Sequence, residues 1–413
     1  MRISAAAVLA LALIASACGP DGSGSSPTDS EGGLLQSGPV LAGDRVVWGE
    51  GARDHILLWS GRPGQDPNLL YRKDAEGKKR LDWRFKALAA SPPRIAFVRD
   101  WMECWEPPKP KTPPKPNEAG EEGGCSGNHS DVWTARPGDR FAPAYVKPRD
   151  CDFTGEVYDL DVSDDSVIFS ETYCRGDGDA GDRVAVLDDG AGTLSTMAEV
   201  PCCGPLVRIA GRYAAWYVWG GRRVVVYDRD ARRVAYAAKL APRIYLDDTW
   251  LDLQEDGTLI VNYRTRAELP NRVDWFSVAS PKPHTVDLRA RSSVRLSDGL
   301  FVFERSTGKS TSELVLATLD GQTRSLARFD RQTLRFADFD FDGRLVTWAS
   351  VTIEKSTRKC FSHRNGGGCF SELSGHIEVW LADTRTDAKP SLVARRQFED
   401  VDAATLGFDE VIG

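Results

Sequence analysis

Short apolar runs that end in a large apolar residue recur along this chain at nearly constant spacing. Six steps separate the seven run ends, and they measure 49, 72, 47, 45, 42 and 45 residues. A second apolar run follows each of the seven, and turn sequences such as Asp-Gly separate the runs. Self-similarity at such a period predicts an array of equivalent units. The seven run ends are Trp48, Phe97, Phe169, Trp216, Val261, Phe303 and Trp348.

The one irregular step, of 72 residues, is explained by an insertion. The first run end and the Trp of the second run are 11 residues apart in the first unit, from Trp48 to Trp59. They are 36 residues apart in the second unit, from Phe97 to Trp133, and removing the excess of 25 from the step of 72 leaves 47. The similar phrases "LLWSGRPG" and "DVWTARPG" are therefore predicted to be the same strand and turn in consecutive units.

Each unit contains four short apolar stretches, which predict four β-strands. Seven such units predict an all-β fold, a seven-bladed β-propeller of four-stranded antiparallel blades over residues 34–413. A pair of β-sandwiches is the alternative, and the equal spacing of seven units argues against it. The final segment, "ATLGFDEVIG", has the pattern of one more inner strand. We expect it to close blade one by strand exchange, because an open ring would leave unpaired edges at the seam.

The N-terminus predicts export and a lipid anchor. A run of 11 apolar residues, too short for the roughly 20 that span a bilayer, is followed by "IASAC", which ends at Cys18. This resembles a bacterial lipoprotein signal, in which the cysteine becomes the lipidated first residue; ordinary cleavage after small residues is the alternative. We expect a signal peptide over 1–17 and a flexible tether over 18–33. The expected location is the outer face of the cytoplasmic membrane, the periplasm or the cell envelope.

The eight cysteines that remain form an even set, which in an exported chain predicts up to four disulfides. Two pairs each lie within one loop and are the expected local bridges. Three pairings are possible for the other four, and we favour the two without a bond between adjacent residues, because that bond requires a strained ring. The expected local pairs are Cys104–Cys125 and Cys360–Cys369. In the other two expected bonds, Cys151 and Cys174 each pair with one residue of the adjacent pair Cys202 and Cys203.

Both long insertions, at about 101–127 and 353–374, fall on one face of the predicted ring, together with all eight cysteines. Loops that join second to third strands share this face with the links between blades. The opposite face has only tight turns. Because long loops inside a compact domain are usually functional or disordered, this asymmetry predicts binding through the insertion face.

Four residues of the two insertions are candidate contacts for a partner. Trp101 and Trp105 are candidates because Trp is enriched at binding hot spots, and packing on the blade rim is the alternative. His363 and Arg364 are candidates because a His-Arg pair can hold an anionic group, and a solvated turn is the alternative.

Several function classes find no support in the sequence. There is no G-x-S-x-G, H-E-x-x-H or phosphate-binding glycine loop, so no catalytic residue or cofactor is predicted. "DFDFDG" at 338–343 matches half of a calcium loop but has Ala349 at the position of the ligand Glu, and "DGDAGD" is a second acidic loop; no metal site is predicted. The net charge of −7 provides no basic patch for nucleic acid.

Over residues 34–413 the chain resembles the TolB-type and WD-repeat-like propellers of bacterial envelopes. The resemblance is architectural, since the Gly-His and Trp-Asp dipeptides of WD repeats are missing from the expected positions. The sequence predicts an envelope-anchored binding or scaffold module, monomeric, that recognises a protein or cell-envelope ligand through its loop face. The alternative is a hydrolase or carbohydrate-active enzyme that uses carboxylates in the central funnel. The sequence favours the non-catalytic function.

Overall fold

Seven antiparallel sheets follow one another along the chain in the computed structural model. Inner strands of consecutive sheets contact each other, and those of the last and first sheets do so too, so the sheets form a closed ring. The predicted all-β, seven-bladed propeller is confirmed. The structure describes residues 34–402 except 52–54, 75–79, 82–83, 106–123, 147–155, 176–179, 189–192, 201–204, 219–221, 242–243, 266–267, 309–310, 319–320, 331–333 and 364–365. The predicted signal peptide and tether lie outside the described residues.

Within each blade the strands run in chain order from the axis outward. Blade one comprises β1 (Leu34–Ala42), β2 (Arg45–Gly51), β3 (His55–Gly61) and β4 (Asn68–Asp74). Blade two comprises β5 (Arg80–Leu81), β6 (Arg84–Ser91), β7 (Arg94–Trp105), β8 (Gly124–Ala135) and β9 (Ala142–Val146). Blade three comprises β10 (Val157–Val162), β11 (Ser166–Cys174), β12 (Ala180–Asp188) and β13 (Thr193–Val200). Blade four comprises β14 (Val207–Ala210), β15 (Tyr213–Val218), β16 (Arg223–Asp228) and β17 (Arg233–Lys239).

The last three blades repeat the same order. Blade five comprises β18 (Ile244–Leu253), β19 (Leu259–Thr265), β20 (Glu268–Phe276) and β21 (His284–Val286). Blade six comprises β22 (Ala290–Ser297), β23 (Leu300–Ser306), β24 (Thr311–Thr318) and β25 (Thr323–Asp330). Blade seven comprises β26 (Leu334–Phe341), β27 (Leu345–His363), β28 (Gly366–Asp383) and β29 (Ser391–Asp402).

The seven periodic run ends all lie in the second strand of their blade and are at most 4% exposed. They pack between neighbouring blades. Trp48 of blade one, for example, contacts Val379 and Val393 of blade seven in one apolar cluster. The period in the sequence is therefore the period of the contacts between blades, which is why it predicts the ring.

The two similar phrases occupy equivalent positions. Trp59 lies opposite Trp48 in the ladder between β2 and β3, and Trp133 lies opposite Phe97 in the ladder between β7 and β8. In both blades one and two, the ladder between second and third strands thus pairs two large aromatic side chains on one face of the sheet. The prediction that the phrases are one strand and turn in consecutive blades is confirmed.

The seam between blades seven and one is held by side chains in the described part of the chain. The Arg396 guanidinium carbon of β29 lies 4.1 Å from the centre of the Trp59 ring, and its Nε lies 3.7 Å from Glu50 Oε1. Trp48 and Trp59 donate indole N–H bonds of 2.9 and 3.1 Å to the buried Glu50 carboxylate. Blade one is complete with four strands of its own. The segment expected to exchange into it falls within 403–413, outside the described residues.

No helix among the described residues is both long and apolar enough to span a membrane.

Candidate functional site

The two predicted insertions prove to be extensions of the hairpin between second and third strands. In blade seven β27 has 19 residues and β28 has 18, whereas the second strands of blades without an insertion have 6 to 9. Their antiparallel ladder continues to the pair His363 and Gly366. We call residues 353–374 the blade-seven ribbon. At about 3.3 Å per residue it projects on the order of 30 Å from the blade.

Blade two has a shorter projection of the same kind, which we call the blade-two ribbon. It consists of β7 and β8 beyond the pair Asp100 and Ser130, and its ladder reaches Trp105 opposite Gly124. The connecting residues 106–123 lie outside the described part. Both ribbons leave the ring where second strands end, so they share one face, the ribbon face. Blade one lies between them in ring order.

Register places the local cysteine pairs opposite each other. Cys104 faces Cys125 across the blade-two ribbon, and Cys360 faces Cys369 across the blade-seven ribbon. Directly opposite residues of an antiparallel pair have Cα atoms about 4.5 or 5.5 Å apart, within the range that a disulfide spans. Cys174 ends β11. The disulfides themselves remain a prediction, and Cys151, Cys202 and Cys203 lie outside the described residues.

Among the four predicted contact residues, Trp101 has a described side chain. Its ring is half-buried and stacks on His129 of the facing strand, with ring centres 4.0 Å apart and planes 23° apart. It also packs against the apolar cluster between blades one and two. Trp101 therefore packs on its blade, and because the ring is half-exposed its role in binding remains a prediction. Trp105 and His363 end their strands, and Arg364 lies outside the described residues, so their binding roles remain predictions.

Charged side chains of the inner strands line the central channel, and the sequence analysis did not identify them. The inner strand of a blade has one edge without a ladder, so its N–H groups need other acceptors. Carboxylates of the preceding blade supply them. Val207 and Ile209 N–H donate to Asp159 and Asp161 at 2.9 and 2.8 Å. Two further bonds of this kind join Leu296 N–H to Asp252 at 2.7 Å and Leu41 N–H to Asp340 at 2.9 Å.

These bonds explain the incomplete calcium motif. Asp340 accepts from Leu41 across the seam, and Asp342 accepts the backbone N–H groups of Arg344 and Leu345 at 2.9 and 2.7 Å. Two carboxylates of the motif thus stabilise the ring and a tight turn. In that turn Gly343 has a φ of 96°, which favours glycine.

Two arginines connect the channel carboxylates between blades. Arg208 Nη1 lies 2.8 Å from Asp159, and its Nε donates to Leu251 O at 3.0 Å, so it joins blades three, four and five. Arg295 lies 3.3 Å from Asp252 and 3.8 Å from Asp340, so it joins blades five, six and seven. The side chains of the channel therefore form a network of hydrogen bonds and ion pairs that connects neighbouring blades.

Asp161 provides a pH-dependent test of this network. Burial raises its pKa to about 6 from 3.8, although the Arg208 charge and the Ile209 N–H act in the opposite direction. The folded protein therefore retains a proton that the unfolded chain releases between pH 4 and 6, so stability falls as pH rises through this window. Asp161→Asn should remove on the order of 2 kcal/mol of this pH dependence. Urea unfolding at pH 4 and 6 measures this change in stability. The control is Asp164→Asn, on an exposed turn. An equal change in stability between the two pH values for wild type and Asp161→Asn would contradict the assignment.

The channel widens into a cavity of about 470 Å³ on the face opposite the ribbons, the turn face. Turns that join first to second strands line it, and many of its polar groups are carboxylates. They are Asp164, Asp165, Asp252, Glu255, Asp340 and Asp342. Such a cavity is where the alternative, enzymatic function would lie.

The comparisons concern the fold. No protein-family model matches the chain, and no curated protein does. Acylaminoacyl peptidase from Pyrococcus horikoshii is similar at 11% identity and a TM-score of 0.49, over 85% of this chain and 58% of that one. An oligogalacturonate lyase in complex with manganese is similar at 10% identity and a TM-score of 0.48, over 86% of each chain. The β-propeller domain of the Trilobed protease from Pyrococcus furiosus has 10% identity and a TM-score of 0.47, over 83% and 93%. These likenesses give no argument about function.

Proposed function

We propose that this protein is an exported, envelope-anchored binding or scaffold module that recognises a protein or cell-envelope ligand through its ribbon face. The observation that supports this most is the pair of ribbons on either side of blade one. Elsewhere in the described chain the hairpin turns are short, and ordering extra residues costs about 1–2 kcal/mol each in backbone entropy. Projecting ladders that contribute little to the core are explained by contact with something outside it.

The predicted anchor fits this orientation. Leu34, the first residue of β1, lies opposite Gly51, which ends β2 on the ribbon face. A tether over 18–33 with a lipidated Cys18 would therefore leave the ring on the ribbon face. The disulfides Cys104–Cys125 and Cys360–Cys369 are part of the proposal, since each would fix a ribbon close to its end.

The second candidate, a hydrolase or carbohydrate-active enzyme, is favoured by the acidic cavity of the turn face. Asp252 and Asp340 of that cavity accept backbone N–H groups of the neighbouring blade, which gives them a structural role. The same test separates the two functions, because the ribbons and the cavity lie on opposite faces.

The test uses the full chain and two ribbon variants as bait for solubilised envelope extract. One variant replaces 106–123, between the cross-strand partners Trp105 and Gly124, by Asn-Gly. The other replaces 358–371, between the cross-strand partners Thr357 and Glu372, by Asn-Gly, which suits a two-residue hairpin. We expect each to lose at least about tenfold in recovery of a partner, or 1.4 kcal/mol, with an unchanged melting temperature. The control is Asp256→Asn on the turn face. Undiminished capture by both variants, or loss in the control, would contradict the proposal.

A further inference from the structure

The blade-seven ribbon has a strand edge that no described strand covers. β26 pairs with β27 only as far as Leu334 opposite Thr352. From Ile353 to His363, β27 is paired on one side, with β28, and among the described strands nothing pairs with its other side. That side faces the propeller axis, because β26 is the innermost strand. An uncovered edge presents a row of N–H and C=O groups to any extended chain.

The blade-two ribbon shows how such an edge is filled. There β6 pairs with β7 only as far as Arg84 opposite Asp100. Beyond that point the short strand β5 takes over the same edge, with Arg80 opposite Cys104 and Leu81 opposite Glu103. An extended segment thus already adds to the axis-side edge of one ribbon, within the chain. The equivalent edge in blade seven, over 353–363, is about twice as long as the edge over 101–105 in blade two, and it has no described counterpart of β5.

The charge of this edge selects the segment that would fit it. Lys355 and Arg358 are exposed, and their odd spacing places them on opposite faces of the strand. Lys359 and Arg364 follow in the sequence, while Glu354 is bonded by His376 Nδ1 at 2.8 Å. In a chain with a net charge of −7 this ribbon is locally basic. Like charges disfavour pairing of two such ribbons, whereas an acidic strand would neutralise them.

We propose that the axis-side edge of β27, from Ile353 to His363, binds an extended acidic segment of a partner protein by strand addition. Main-chain hydrogen bonds along the edge supply affinity, and the lysine and arginine side chains on both faces select acidic residues. This inference rests on the proposed function and names the chemistry of its partner.

Fluorescence anisotropy with a defined peptide tests the proposal on the full, oxidised chain. The probe is a labelled ten-residue peptide of alternating Thr and Glu. Its controls are the alternating Thr-Lys peptide and a Thr-Glu copy with every backbone nitrogen methylated, which has no N–H group left on either edge for a ladder. We expect both controls to bind at least about tenfold more weakly. The double variant Lys355→Glu/Arg358→Glu should weaken the probe by a similar factor, whereas Lys389→Glu, exposed on the turn face, should not.

Two proline variants separate strand addition from mere charge attraction. Ser356 and Thr357 are adjacent and uncharged, so one directs its N–H to β28 and the other to the uncovered edge. Proline at the edge-directed position should abolish probe binding with an unchanged melting temperature. Equal binding of the methylated peptide, no binding of the probe, or binding only after deletion of 403–413 would each overturn the proposal. Binding of the full chain to vesicles of anionic lipid would also overturn the proposal, if the same charge reversals abolish that binding and the probe does not bind. Loss of envelope partners on ribbon truncation, without probe binding, would leave the proposed function standing.

Discussion

Replacing Trp48 by alanine is expected to lower the free energy of unfolding by about 3–5 kcal/mol. The side chain is fully buried in the cluster that joins blades one and seven. It is also a hydrogen-bond donor to Glu50, whose pKa burial raises. The truncation therefore opens a cavity at the seam and removes one of the two indole groups that solvate a buried carboxylate.

Denaturant unfolding of the full chain, followed by tryptophan fluorescence and circular dichroism, measures this loss. Leu69→Ala is the control, since Leu69 is 45% exposed on the outer strand of the same blade. We expect that control to change stability by less than about 0.5 kcal/mol. A loss below about 1 kcal/mol for Trp48→Ala would mean that the seam does not hold the ring closed.

The second large effect is expected at Glu171, whose side chain is fully buried between blades two and three. Arg183 donates to Glu171 Oε1 from Nε at 2.8 Å and from Nη2 at 2.7 Å, and the Tyr145 hydroxyl donates to Oε2 at 2.9 Å. Burial and the Glu171 carboxylate raise the pKa of Tyr145, so the phenol remains a donor. Glu171→Ala leaves a largely buried guanidinium without its carboxylate and should cost about 3–5 kcal/mol.

A double-mutant cycle with Arg183→Met measures the interaction energy of the pair Glu171 and Arg183 separately from the contribution of each side chain. We expect the double variant to be more stable than Glu171→Ala alone, because removing both partners leaves no uncompensated charge. Asp74→Ala, which breaks the exposed pair of Arg72 and Asp74, should cost less than about 1 kcal/mol. Additive losses in the buried cycle would contradict the assigned ion pair.

The period of the sequence was enough to predict the ring, because each run end packs between blades. Trp48, Phe97 and Phe169 are all fully buried in second strands, as their spacing indicated. The excess of 25 residues in unit two also located the first insertion. Its structure was not predictable in the same way, because a ladder that continues past the core has no buried face to mark it. The basic blade-seven ribbon was accordingly expected to be a loop.

The charge pairs in the ladders between second and third strands also could not be predicted from the sequence. Arg99 lies opposite Asp131, and Glu171 lies opposite Arg183, each pair starting two residues after a run end. The sign of the charge is reversed between these two blades, so they carry different residue types at the same position. A charged residue stands two places after four of the six aromatic run ends, at Glu50, Arg99, Glu171 and Arg305. That was the available signal, and it acquires meaning only when register supplies the partner.

Site-specific photo-cross-linking tests the central claim, binding through the ribbon face, most directly. A photoreactive phenylalanine analogue at position 356 lies on the blade-seven ribbon, where Ser356 is exposed and uncharged, and the same group at position 298 lies on an exposed turn of the opposite face. Irradiation of the full chain in its own envelope should give covalent partner adducts from position 356 and none from position 298. Adducts from position 298 alone would contradict the account and direct attention to the acidic cavity of the turn face.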